Sequence, residues 1–82
     1  MNDKTVRDAV LSTVLNQIDT GDPPEARETY DRLIDAGASN SQALQLMAGA
    51  LRLEMSRMLS ESSTFDNKLY AEHLAAIKAP EA

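Results

Sequence analysis

The stretch SNSQALQLMAGALRLEMSRMLS, residues 39–60, decides the fold of this 82-residue chain. Ser39 followed three residues later by Gln42 is a capping box, in which each side chain satisfies a backbone N–H that the first helical turn leaves free. An apolar run starts directly behind it at Ala43, and neither proline nor a stop signal interrupts it before Ser60. The pattern predicts a helix over 40–60, about 30 Å long at 1.5 Å per residue. Leu44, Met47, Ala48, Leu51, Met55, Met58 and Leu59 share one face, the expected core face. Ala43, Leu46, Ala50 and Leu53 form a second apolar group nearly opposite, and Gln45, Gly49, Arg52 and Ser56 make a polar strip between the two. A helix apolar on two sides is either enclosed by neighbours of its own domain or shared with another molecule.

Upstream, Asp22-Pro23-Pro24-Glu25 announces another helix start. Asp22 is the expected N-cap, Pro23 suits the first helical position, where no N–H is needed, and Glu25 completes a capping-box arrangement. This helix is expected over 23–36, with Ala26, Tyr30, Leu33 and Ile34 buried and Gly37 ending it. Before it, Val6, Val10, Leu11, Val14, Leu15 and Ile18 recur at steps of three and four, predicting a first helix over 5–20 that stops at Gly21. Downstream, Ser60, Ser62, Ser63 and Thr64 mark a loop. Asp66 then caps a last helix over 67–78, with Phe65 and Tyr70 placed to close a hydrophobic staple. Pro80 prevents extension, and residues 79–82 are expected to fray. Both tyrosines are expected to pack their rings inward with hydroxyls reaching solvent. The sum is an all-α fold, a compact bundle of four helices joined by short loops in one domain, residues 1–82. No internal repeat is present.

Composition narrows the function classes. Eight Lys and Arg against 13 Asp and Glu give a net charge of −5, the wrong sign for holding a nucleic-acid backbone or an anionic membrane surface. Eight acids and four bases fall before residue 40, five acids and four bases after it. The acidity therefore belongs to the first two helices. The absence of Cys excludes disulfides, thiolate metal sites and cysteine nucleophiles, and fits a cytoplasmic setting. No apolar stretch reaches the roughly 20 residues of a membrane span, and MNDKTVRD lacks the apolar run of a signal peptide.

The residue set offers little chemistry. One histidine, His73, cannot make a His-rich metal site, and its neighbours Leu69, Leu74 and Ile77 place it at a core edge. No HExxH, phosphate loop, GxGxxG or G-x-S-x-G pattern occurs. Glu28, Asp31 and Asp35 share a helix face with arginines adjacent, which makes a solvated acidic face rather than an enclosing cation site. Glu54 falls between the two apolar groups of the third helix and is the charge expected to become partly buried, with Arg57 three residues on as its partner. No cofactor and no enzymatic activity is expected.

The segment DPPEARETYDRLIDAGAS (22–39), followed by A-L-x-L-M-A-G-A-L (43–51) and F-D-x-x-x-Y (65–70), resembles a family of short bacterial helical proteins of unknown function. The resemblance covers residues 22 to 70, although Gln42 stands where the family pattern is acidic. It implies a bacterial, cytosolic, all-helical protein and carries no activity, cofactor or catalytic residue.

The expected function is a helical protein-interaction module that self-associates as a homodimer through the third helix, with Leu46, Gly49, Ala50, Leu53 and Arg57 as the candidate interface. Gly49 and Ala50 are expected to let a neighbouring helix approach closely. The alternative is a small acidic inhibitor or regulator that presents Glu28, Asp31 and Asp35 to a basic protein partner. The remote alternative is an enzyme built on His73 or a carboxylate pair.

Overall fold

The computed structural model describes residues 3–80. Within them the chain forms α1 (Asp3–Thr20), α2 (Pro24–Asp35), α3 (Asn40–Glu61) and α4 (Asn67–Ala75), with no strand among the described residues. The two central helices, α2 and α3, pack on one another and on both outer helices, whereas the backbones of α1 and α4 stay apart. Val10 and Val14 of α1, Ala26 and Leu33 of α2, Met47 and Leu51 of α3, and Tyr70 and Leu74 of α4 meet in the core. Burial of each large apolar side chain contributes about 1.5–3 kcal/mol, so the small hydrophobic core rests on Leu, Val and Met with a single buried aromatic ring, Tyr70.

Most local signals act as the sequence reading requires. Gln42 N–H donates to Ser39 Oγ at 3.1 Å and Ser39 N–H donates to Gln42 Oε1 at 2.8 Å, so the capping box is complete. Asp66 Oδ1 accepts from the N–H groups of Lys68 and Leu69, and the Phe65 and Tyr70 rings meet edge-on at 5.4 Å. Gly37, at φ 103°, ends α2 by a Schellman arrangement: Ala38 N–H donates to Leu33 O and Gly37 N–H to Ile34 O, each at 3.0 Å.

Helix α1 begins at Asp3, two residues before the expected start, and α2 and α3 end within one residue of expectation; two other limits differ for identifiable reasons. Asp22 does not cap α2. The N-cap is Pro23, in extended backbone at φ −73° and ψ 151°, with no side-chain cap, and Pro24 takes the first helical position. The cause is the second proline: a residue that precedes proline is held out of the helical region, so Pro23 cannot itself be helical. Likewise α4 stops at Ala75, not 78. Arg32 reaches across from α2 and donates to the carbonyls of Leu74 (3.1 Å) and Ile77 (2.9 Å), and Leu74 O is the acceptor that a further helical turn would need from residue 78. The expected frayed tail is also shorter, because Ala79 packs against the core; residues 81 and 82 lie outside the described residues.

Tyr70 is fully buried, and its hydroxyl donates to Gln17 Oε1 at 2.7 Å instead of reaching solvent. This bond joins α4 to α1, whose backbones do not approach each other closely. Burial pushes the Tyr70 hydroxyl up to about 12. Tyr30 matches its reading: it is half-buried, and its hydroxyl donates to Asn40 Oδ1 at 2.6 Å on the exposed side.

Candidate functional site

At the junction of α3 and α4 lies a buried ionic knot. Glu54 is 0 % exposed. Its carboxylate accepts from Arg57 Nε at 2.7 Å and Arg57 Nη2 at 2.6 Å, and from the backbone N–H of Asp66 at 2.7 Å. His73 Nε2 stands 3.9 Å from Glu54 Oε1. The Arg57 hydrogen bonds lead in pulling the Glu54 carboxyl down to about 2, overcoming desolvation; the Asp66 N–H and the nearby His73 act in the same direction. The carboxylate in turn raises Arg57 above its already high value. Arg57 also donates to Ser63 Oγ (2.8 Å) and Thr64 O (2.9 Å) and stands 3.5 Å from Glu61. The knot thus ties the loop after α3 back onto the helix. Every buried polar side-chain atom among the described residues has a hydrogen-bond partner.

Two concavities open along α1 and α3. The first is an apolar groove of about 380 Å³. Val6, Ala9, Val10, Thr13 and Gln17 of α1 line one wall, Leu51, Met55 and Met58 of α3 the other, and Phe65 closes an end. None of these side chains is charged. Within that wall Met55 is 40 % exposed, and Leu59 is 84 % exposed. Leu59 lies four residues beyond Met55, hence on the same helix face. The expectation that Met55 and Leu59 belong to the core face fails: Met55 lines the open groove between α3 and α1, and Leu59, one turn further on, is exposed.

The second concavity is a cleft of about 400 Å³ lined by Arg7 and Leu11 of α1 and by Gln45, Ala48, Gly49 and Arg52 of α3. A Cβ built on Gly49 would meet nothing within 4 Å. No other helix of the chain comes within that distance, so the space beside Gly49 is not used by packing within the domain.

The candidate interface read from the sequence is divided by the fold. Ala50 lies in the core at 3 % exposure, and Leu46 packs against it. Arg57 is engaged by Glu54 and the following loop. Gly49 faces the arginine cleft, and only Leu53, 60 % exposed, remains as an open apolar side chain of that set. The second apolar group is therefore mainly intramolecular packing, because α3 is flanked by all three other helices. Glu28, Asp31 and Asp35 are all exposed along α2. Among the described residues no group of three or more His, Asp or Glu side chains is placed to hold a metal ion, and no helix is long and apolar enough to cross a membrane. Neither His73 nor Glu54 lines either concavity.

Helical spacing pairs Glu54 with Arg57 but does not reach Asp66 N–H or His73, whose positions depend on how α4 folds back. The cleft brings together Arg7 and Arg52, 45 residues apart in sequence, of which the sequence pattern placed only Arg52, in the polar strip of the third helix. Comparison of the chain with known family profiles, curated proteins and solved structures finds no match.

Proposed function

We propose that this chain is a helical protein-interaction module that pairs with a second copy of itself through the C-terminal half of α3. The observation that carries the reading is the juxtaposition of the uncharged groove with Leu59 on the same helix face. A concave apolar site beside a convex apolar side chain is self-complementary: a two-fold axis puts each copy's Leu59 against the other's groove. Methionines at the rim adapt their shape to such a guest. Two molecules of net charge −5 repel least where they meet through neutral surface. The reading involves no catalytic step, and a bacterial, cytoplasmic setting belongs to it only through the family resemblance of residues 22–70.

Sedimentation velocity at high micromolar concentration tests it. A dimer is expected, with Leu59→Lys and Met55→Lys monomeric and equally helical. A wild-type chain that is strictly monomeric at that concentration refutes the proposal. The acidic-regulator alternative draws on the exposure of Glu28, Asp31 and Asp35; reversing the three charges then slows association with a basic protein partner in a salt-dependent way.

A further inference from the structure

We infer that the cleft between Arg7 and Arg52 is a binding site for a carboxylate ligand, a short body bearing two carboxylate groups. Three observations converge on it. Arg32 and Arg57 are engaged by main-chain carbonyls and by Glu54, whereas Arg7, Arg27 and Arg52 have no ion pair or hydrogen bond among the described residues, and of these three only Arg7 and Arg52 line one cleft. Two like charges brought to one cleft from separate helices repel each other, and an anion between them removes that cost. Gly49 is the second observation. A glycine inside a helix is unfavourable relative to alanine, and here no neighbour requires it, since a Cβ would meet nothing within 4 Å. Its effect is to deepen the cleft floor.

The third observation is the chemistry of the lining. The donors are two planar guanidinium forks and the Gln45 amide, above a floor of Leu11, Ala48 and Gly49. Guanidinium groups match carboxylates in bidentate geometry, and the apolar floor accepts a hydrocarbon body. Gln45, Ala48, Gly49 and Arg52 lie inside α3 and Arg7 inside α1, so the cleft lacks the free backbone N–H groups of a helix start that cradle phosphate. A volume of about 400 Å³ suits a small ligand or the paired side chains of an acidic peptide. The carboxylates come either from a free dicarboxylate or from Asp and Glu of a polypeptide, and the two are separable.

The test is a titration of isotope-labelled protein, followed by amide and Arg Nε resonances at fixed ionic strength, with glutarate in one arm and a capped hexaglutamate peptide in the other. Saturable shifts at Gly49, Arg7 and Arg52 are expected. Saturation by glutarate assigns a free dicarboxylate, and saturation by the peptide alone assigns acidic side chains. Arg7→Gln and Arg52→Gln each weaken binding by about fivefold, the scale of a solvent-exposed ion pair, and Gly49→Leu abolishes it by filling the floor. Circular dichroism checks that all three variants keep the wild-type helicity; Leu59→Lys, which leaves the cleft intact, binds normally and separates this site from the dimer reading. Shifts in both arms that merely follow those of sodium chloride overturn the inference, as does saturable binding unaltered in the Arg7→Gln, Arg52→Gln double variant.

Discussion

Replacing Gly49 by alanine should make the protein more stable. Gly49 is the tenth of 22 residues in α3, it is exposed, and its backbone is not in the left-handed region. The new methyl group would meet no atom within 4 Å, so no clash offsets the gain. Alanine in a helix interior is favoured over glycine by about 0.5–1 kcal/mol, mainly because the unfolded glycine has more conformations to lose. For a domain of 60–100 residues each kcal/mol moves Tm by about 4–8 °C. The expected rise is therefore about 2–8 °C. Thermal unfolding followed by circular dichroism at 222 nm reads it directly, and urea titration should move the midpoint without changing the slope. A Tm that stays the same or falls refutes the reasoning, since it requires a contact at Gly49 that the structure does not contain. A stabilised variant that binds carboxylate less well would separate what the glycine does for the cleft from what it costs the helix.

Two further outcomes follow from long-range polar contacts. The folded Glu54 carboxyl sits at about 2 against 4.5 for the free side chain; because its folded value is depressed, its contribution to stability is full above pH 4.5 and is lost as pH falls toward 2. Urea unfolding between pH 7 and pH 2.5 should show wild type losing stability across that window, while Glu54→Gln, less stable at pH 7, shows a shallower decline; parallel profiles would count against the knot. Arg32→Met removes two hydrogen bonds to main-chain carbonyls, one of them partly buried, and should cost about 1–3 kcal/mol, with amide exchange accelerated at residues 74–79; an unchanged exchange pattern there would show that α4 ends for another reason.

What the sequence revealed depended on the range over which the deciding interaction acts. Ser39 with Gln42, and Phe65 with Asp66 and Tyr70, act within five residues, and both caps form as written. The start of α2 was misplaced by one residue, although the cause is equally local: the restriction that Pro24 puts on Pro23 outweighs the capping capacity of Asp22. The end of α4 could not be read locally, because the competing donor, Arg32, is 42 residues away from Leu74. Helical periodicity grouped Met55 and Leu59 with Met47 and Leu51, but it carries no information about how closely a neighbouring helix packs along that face. The same limit applies to Gly49, whose type announced an unusual position without saying whether a helix or an empty space adjoins it.

The attachments of α4 also bear on how the protein opens. At nine residues it is shorter than the length at which isolated helices persist in water. Its first turn is anchored by Glu54 through Asp66 N–H, its middle by the Tyr70 hydroxyl on Gln17, and its end by Arg32. These anchors belong to α3, α1 and α2 respectively. Such a segment has no independent foldon of its own: its amides should exchange only through the cooperative opening that also releases the other three helices, so that the shortest helix reports the global stability of the domain.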